Sequence, residues 1–504
     1  MANRTQPPHL SKTRYTAGLQ CPKRLWLTCH ARKLATAPDE ALQAIFEQGT
    51  EVGLVAHKLF PGGVHVREKP WEHARAVERT RELMQSSDAP AIFEAAFEAQ
   101  NVRIRVDVLE RLSGGGWGLR EVKSSTQVKD IHLDDVAVQH FVLESSGVRV
   151  PSVELLHINR DYVRREGGID WPAFFVRADL AAESAGRLGE VARTLERFQS
   201  VLGESEGPSI SPGHHCSRPY ACEFWDHCTR EKPSDWVFHL PYLSSDRFQS
   251  LQARGVDRIG EVPHDFSLSA AQARICEVHR SGQPYRSPAL ASVLEDFGPP
   301  AFYLDFEAMN PAIPIYPGTR PYQMIPFQWS VHHVQPDGEV AHHEFLADGR
   351  SDPRRPLAEA LIQVLSGSPH PVVVYSRFEG TQLRGLAEAF PDLADSLLAI
   401  EQRLRDLLPV VRENMYDAAF RGSFSLKAVA PALAPEVTYD DLDAIAAGSA
   451  AATAMIRIAR DEVSGPEEAR LRRALLAYCQ RDTLALLEVQ RSLRVDTQGR
   501  NQPS

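Results

Sequence analysis

Apolar and polar positions divide the chain into three stretches with different periods. From about residue 11 to 232 a helix-like opening gives way to strands. VRIRVDVLERL (102–112) and WGLREVKSS (117–125) read as two short strands, and Ser113–Gly116 supplies the turn between them. Helical spacing follows over Asp134–Gly147, PSVELLHINRDY predicts a further strand, and Ala178–Leu202 an amphipathic helix. From about 233 to 297 the pattern is helical. LSSDRFQSLQARGVDRIGEVP predicts a helix stopped at Gly255, and LSAAQARICEVHRSG a second helix. From about 298 to 494 strands and helices alternate again. AFYLDFEAM, QWSVHHV and PVVVYS precede several helices, among them the Ala-rich DAIAAGSAAATAMIRIA. Residues 495–504 are polar and read as a disordered tail. The fold class expected is α/β, in two larger domains joined by a small helical linker.

Composition narrows the function classes. A chain of 504 residues, 43% hydrophobic and 24% charged, is an ordinary globular protein of two to four domains. No apolar run approaches the ~20 residues that span a bilayer, so no membrane partner is expected. The first residues lack the apolar core of a secretory signal, and a cytoplasmic location is expected. A net charge of −10 does not hold polyanions by itself. It leaves open an enzyme that grips nucleic acid in a local basic groove. Seven cysteines do not make a disulfide scaffold, but three of them crowd into residues 216–228.

Three groups of residues carry chemistry. In the first, Glu121 and Lys123 share one face of a strand, and Asp107 lies on the strand before it. Two carboxylates can hold a hard divalent cation, and a lysine can help activate water. Gln139 follows on a helix. A surface hairpin with an ordinary Glu–Lys pair would look the same if the remaining features were missing. In the second group, Cys216, Cys222 and Cys228 are spaced Cys-x5-Cys-x5-Cys, and Cys21 is the candidate fourth ligand, with Cys29 as alternative. Four thiolates suit zinc or an iron–sulfur cluster. In the third, Asp305 and Glu307 face one way from an apolar strand, which is costly unless they are paired or metal-bound. Glu379 follows a second strand. Tyr478 and Asp482 share a helix face at i and i+4. Such carboxylates can hold two divalent metals, with Tyr478 orienting a water.

These motifs carry two resemblances. LSKTRYTAGLQCPKRLWL, the VDVLER…EVKSS…QHFVL series and the cysteine triplet resemble the RecB-like, iron–sulfur branch of the PD-(D/E)XK nucleases, over about residues 11–232. The resemblance implies Mg²⁺ or Mn²⁺ on Asp107 and Glu121, Lys123 assisting the attacking water, Gln139 in a Gln-x3-Tyr motif, and a 4Fe–4S cluster on the four cysteines. It also implies an early catalytic His, for which His57 is the candidate. Leu143 stands where the motif has Tyr, and the triplet departs from the more usual Cys-x2-Cys-x5-Cys. DFE, Tyr-x3-Asp and GSFSLKAVA resemble the Tyr-containing DEDD exonucleases of the RNase H-like superfamily, over about residues 300–494. That resemblance implies metal on Asp305, Glu307 and Asp482. Its second motif departs, with Glu379 after Ser376 and no Asn, so Asp417 is held in reserve.

The whole chain resembles bacterial fusions of a RecB-like nuclease with such an exonuclease domain. RFQSLQARGVDRIGEVP resembles a helix-hairpin-helix element, which grips phosphates through backbone N–H groups, or is a plain helical spacer. The expected function is metal-dependent hydrolysis of nucleic-acid phosphodiesters, with single-stranded or end-exposed DNA as substrate and RNA as the alternative. The rival is a nucleic-acid-binding scaffold with one or both sites inactive.

Overall fold

The computed structural model describes residues 8–86, 88–439, 442 and 448–498. The chain is mixed α/β and forms two compact units. The first comprises Met1–Glu231 with Pro311–Tyr322, the second Lys232–Asn310 with Gln323–Ser504. The helical stretch 233–297 falls within the second unit. Residues 311–322 leave the stretch expected as the exonuclease domain and join the first.

In the first unit, helices α1 (Lys12–Gln20), α2 (Pro22–His30), α3 (Glu40–Ala56) and α4 (His73–Gln85) precede the main strands. Strands β1 (Ala91–Ala99), β2 (Val102–Arg111) and β3 (Trp117–Lys123) form an antiparallel meander. Helix α5 (Asp130–Ser145) then crosses over to β4 (Ser152–Ile158), which lies parallel to β3. Strand β5 (Phe175–Asp179) and the long helix α6 (Ala181–Gly203) follow. Two short strands complete the seven-stranded sheet: Val64–His65 beside β1, and Leu10–Ser11 parallel to β2. The hairpin turn between β2 and β3 holds Gly115 and Gly116 at φ of 81° and 84°, conformations that favour glycine. One sheet face buries Val106, Leu119, Val138, Val142 and Phe198. A second core gathers Val108, Val122, Leu156 and Phe174 with Ala312 and Ile313 of the 311–322 segment.

In the second unit, α7 (Ser245–Ala253) ends at the turn containing Gly255, and α8 (Ala270–Ser281) follows. Strands β6 (Ala301–Met309), β7 (Ile325–Val334) and β8 (Val340–Leu346) form an antiparallel sheet, and after α9 (Arg354–Leu365) strand β9 (Val372–Val374) lies parallel to β6. Helices α10 (Phe378–Ala389) and α11 (Ala394–Gln402) lead to β10 (Leu404–Asp406), giving the order β8-β7-β6-β9-β10. Helices α12 (Leu426–Leu433), α13 (Gly448–Ala459) and α14 (Gly465–Gln498) close the chain. The period of two along β6 sorts its residues by face. Phe302, Leu304 and Phe306 enter a core with Leu357, Leu361 and Leu383. Asp305 and Glu307 point to the other face, which α14 covers. The start of the Ala-rich segment, 443–447, lies outside the described residues. Helix α14 runs to Gln498, into the stretch assigned to a disordered tail, and 499–504 lie outside the described residues.

Candidate functional site: two acidic groups and a cysteine cluster

Glu307 and Asp305 come from adjacent same-face positions of β6, and Asp482 reaches them from α14. Their carboxylate oxygens lie within 4.8 Å of one another, and among the described residues no other set of His, Cys, Asp or Glu brings three ligand atoms so close. The helix is fixed across the sheet by polar bonds. Gln328 donates to the Leu475 carbonyl at 2.8 Å, and the Ser330 and Thr483 hydroxyls meet at 2.8 Å. Ser330 pairs with Asp305 in the sheet, and Gln328 with Glu307, so these bonds sit beside the acids. Burial, then the charge of Asp482, pushes Glu307 up to about 8. Burial, then Asp482 and Glu307, raises Asp305 well above the carboxylate range. Acids crowded together in this way lack positive charge, which a divalent cation would supply.

Tyr478 is buried one turn from Asp482, and burial followed by Asp482 raises its phenol, which stays protonated. Glu379 stands in the first turn of α10, where the Ser376 hydroxyl donates to it at 3.1 Å. Burial pushes it up to about 7. Its charge is felt by Asp305 and Glu307, but it lies outside the tight triad. Asp417 instead accepts from the Ala419 N–H at 2.8 Å and caps a short helix. Two further residues belong to the site. The Tyr439 hydroxyl donates to Asp482 Oδ1 at 2.5 Å. Lys427 Nζ sits 4.7 Å above the Tyr478 ring, and its charge lowers both Glu307 and Asp482. Lys427 lies inside the GSFSLKAVA segment, so its neighbourhood was visible in sequence. Tyr439 carried no signal.

The first unit assembles the other acidic group on β2, β3 and α5. Asp107 Oδ2 accepts from the Val122 N–H at 2.8 Å. Gln139 Nε2 donates to Glu121 Oε2 at 2.7 Å, and Lys123 Nζ to Glu121 Oε1 at 2.6 Å. Two residues join that the sequence did not single out. Asp135 pairs with Lys123, one helical turn before Gln139. Lys12 donates to Glu121 Oε1 at 2.8 Å and stands 3.8 Å from Asp107 and 4.0 Å from Asp135. The two ammonium groups outweigh burial and hold Glu121 well below its usual range. Burial, then Glu121, pushes Asp107 up to about 7. As folded, this group does not offer an open cluster of oxygens to a metal, because Lys12 occupies its middle.

His57 stacks on the Phe93 ring at 3.8 Å, and none of the described bonds of Asp107, Glu121 or Lys123 involves it. Leu143, at the position of the motif's Tyr, is fully buried in the hydrophobic core.

The cysteines gather at the start of α2. Cys21 is its N-cap, and Gln20 ties this end to the later loop by donating to the carbonyls of His215 at 2.9 Å and Tyr220 at 2.8 Å. The Cys222 N–H donates to the Cys216 carbonyl at 2.8 Å. Cys216 lies within electrostatic reach of Cys21 and Cys228, and Cys222 within reach of Cys216. Burial raises all three thiols of the triplet, Cys222 to about 11. No three of the sulfurs lie within 4.8 Å of one another. Four sulfurs bound to one zinc at ~2.3 Å would sit about 3.8 Å apart. Cys29 packs against the first unit's core instead.

A family model described as a domain of unknown function (DUF2779) matches residues 302–425. The match takes in Asp305, Glu307 and Glu379 and stops before Lys427, Tyr478 and Asp482. No curated protein matches the chain. No helix among the described residues is long and apolar enough to cross a membrane.

Proposed function

We propose that this chain is a divalent-metal-dependent nuclease that hydrolyses phosphodiester bonds of nucleic acid, with its reacting centre at Asp305, Glu307 and Asp482. The convergence of these three acids beside Tyr478 carries the reading. The mixed sheet with the acid-bearing strand at its centre and α14 across it fits the RNase H-like resemblance. Mg²⁺ or Mn²⁺ held by these carboxylates would lower the pKa of a water and neutralise charge on the phosphate. Tyr478, kept as a phenol with its hydroxyl bonded to Asp482, would orient the attacking water by accepting a hydrogen bond from it. Tyr439 holds Asp482 in place from the other side. Lys427 supplies the positive charge that draws a phosphodiester toward a net acidic pocket.

The first unit is read as RecB-like, because Asp107, Glu121, Lys123 and Gln139 meet as that resemblance implies. Its cysteines are read as 4Fe–4S ligands, because Cys21 meets the loop of Cys216, Cys222 and Cys228 as that resemblance implies. The presence of Lys12 among the carboxylates favours a second reading for this unit alone, in which it binds nucleic acid without cutting.

The test is cleavage of end-labelled single-stranded DNA, double-stranded DNA and RNA with Mn²⁺ or Mg²⁺. Wild type, Asp305→Asn, Glu121→Gln and the double variant are compared. Asp305→Asn is expected to lose cleavage by about 10²-fold or more. A wild type that cuts none of the substrates with either metal, or an Asp305→Asn variant that cuts as wild type does, overturns the assignment.

A further inference from the structure

The first unit's acidic group holds its own cation. Leu10 and Ser11 pair with Val102 and Arg103 of β2, which pins the start of α1 to the sheet. Ser11 caps that helix by accepting from the Arg14 N–H at 3.2 Å. Lys12 is therefore launched from a fixed position, and its ammonium lies within 4.0 Å of three carboxylates, those of Glu121, Asp107 and Asp135. Charges can be counted over the five groups that face one another here. With all three carboxyls ionised, as metal ligation requires, Asp107, Glu121 and Asp135 bring three negative charges, and Lys12 and Lys123 two positive ones. A divalent cation added to this set leaves an excess of positive charge unless an ammonium leaves. Lys123 shares its strand with Glu121 and is tied to it and to Asp135 of α5. Lys12 reaches in from the first residue of α1, outside the sheet, and the two lysine side chains are equally open to solvent. Asp135 Oδ1, 4.0 Å from the Lys12 ammonium, and Gln139 Oε1, on the amide that bonds Glu121, are buried oxygens with no hydrogen-bond partner. Buried acceptors left in this state are the atoms a cation or its waters would satisfy.

We propose that Lys12 is a displaceable resident cation of this group, so that a divalent metal binds at Asp107, Glu121 and Asp135 only by expelling the Lys12 ammonium. The inference deepens the RecB-like reading and rests on it. A flexible ammonium on a four-carbon stem can leave without moving the sheet, whereas the carboxylates cannot. The metal requirement of the first unit is then set by competition with Lys12, and the two acidic groups load at different metal concentrations.

Mn²⁺ binding to the full chain tests this, by calorimetry and by loss of the free-ion electron-spin signal. Asp305→Asn with Asp482→Asn is the background, so that the titration reports the first group, and the chain without those changes serves as the positive control. Lys12→Met on that background is expected to bind Mn²⁺ about tenfold more tightly or better. Its melting temperature is expected to fall without metal and to be restored by Mn²⁺. Equal or weaker Mn²⁺ binding by Lys12→Met overturns the displacement while leaving the metal site standing. If neither background nor variant takes up Mn²⁺ and the control chain does, the metal reading of the first group fails and this inference with it. Lys12→Gln, which keeps a donor toward Glu121, covers the case in which Met prevents folding. If both variants are destabilised and Mn²⁺ restores neither, Lys12 is structural and the inference is wrong.

Discussion

Removing one negative charge from the second unit's acidic group should stabilise the metal-free protein, and the gain should grow with pH. Burial, then Asp482, moves Glu307 from 4.5 to about 8, against partial relief from Lys427. A carboxyl whose folded value lies above its unfolded one holds an extra proton in the folded state between the two. Its contribution is intact below about 4.5 and is lost as pH rises through about 8. At ~1.36 kcal/mol per pH unit, full ionisation of Glu307 costs at most ~5 kcal/mol. Asp305, Glu307 and Asp482 share protons, so a single substitution recovers part of this, about 2–3 kcal/mol. At ~2–4 °C per kcal/mol, Glu307→Gln should melt roughly 5–10 °C above wild type near pH 8.5 with chelator present. The two should melt together near pH 4, where Glu307 is already neutral. The assay is thermal unfolding across that range with EDTA, repeated with Mn²⁺, which should stabilise wild type more than the variant. A wild-type melting temperature that holds level from about pH 5 to 8.5, or a Gln variant that melts lower throughout, refutes the reasoning.

Other perturbations test the remaining framework. Gly422 has φ of 78°, and a Cβ there would meet the His239 carbonyl oxygen at 2.0 Å, so Gly422→Ala should cost about 3 kcal/mol or more in a denaturant titration. Arg120 is 2% exposed and bonds Glu110 at 2.7 Å and Ser152 at 2.9 Å, while Arg177 also holds Glu110 at 2.9 Å. Arg120→Ala leaves a cavity and an unpartnered Ser152 contact but not an unpaired Glu110, so a loss of about 2–3 kcal/mol is expected, read by urea unfolding. The proposed 4Fe–4S cluster predicts iron and a brown colour in protein purified without air, both lost in Cys216→Ser and both kept in Cys29→Ser.

What the sequence disclosed followed the strength of the local pattern. The β2–β3 hairpin and the Asp305–Glu307 strand were legible because alternation and turn glycines fell together. Strand β1 was not named, since AIFEAAFEA is built from Ala and Glu, good helix formers, and only its burial in the middle of the sheet makes it a strand. Strand β8, VAHHEFL, went unread for the opposite reason: it is an edge strand rich in histidine and half open to solvent. Lys12 and Tyr439 could not be found by spacing. Lys12 reaches Glu121 across 109 positions and Tyr439 reaches Asp482 across 43, and no periodicity encodes such a pairing. The stacking of His57 on Phe93 was not legible either, because a histidine looks alike in sequence whether it faces a reacting group or a phenyl ring.

Residues 311–322 carry a consequence for how such a chain could arise and be taken apart. Ala312 and Ile313 complete an apolar core whose other members come from Val52 to Phe175. Tyr322 donates its hydroxyl to the Ser124 carbonyl, next to Lys123. A gene cut once between the halves would leave the upstream piece with a hole in its interior and the downstream piece with greasy side chains in water. Each half has thus surrendered the independence that shuffling of modules requires. Any shortened version would need those residues grafted back onto the upstream part.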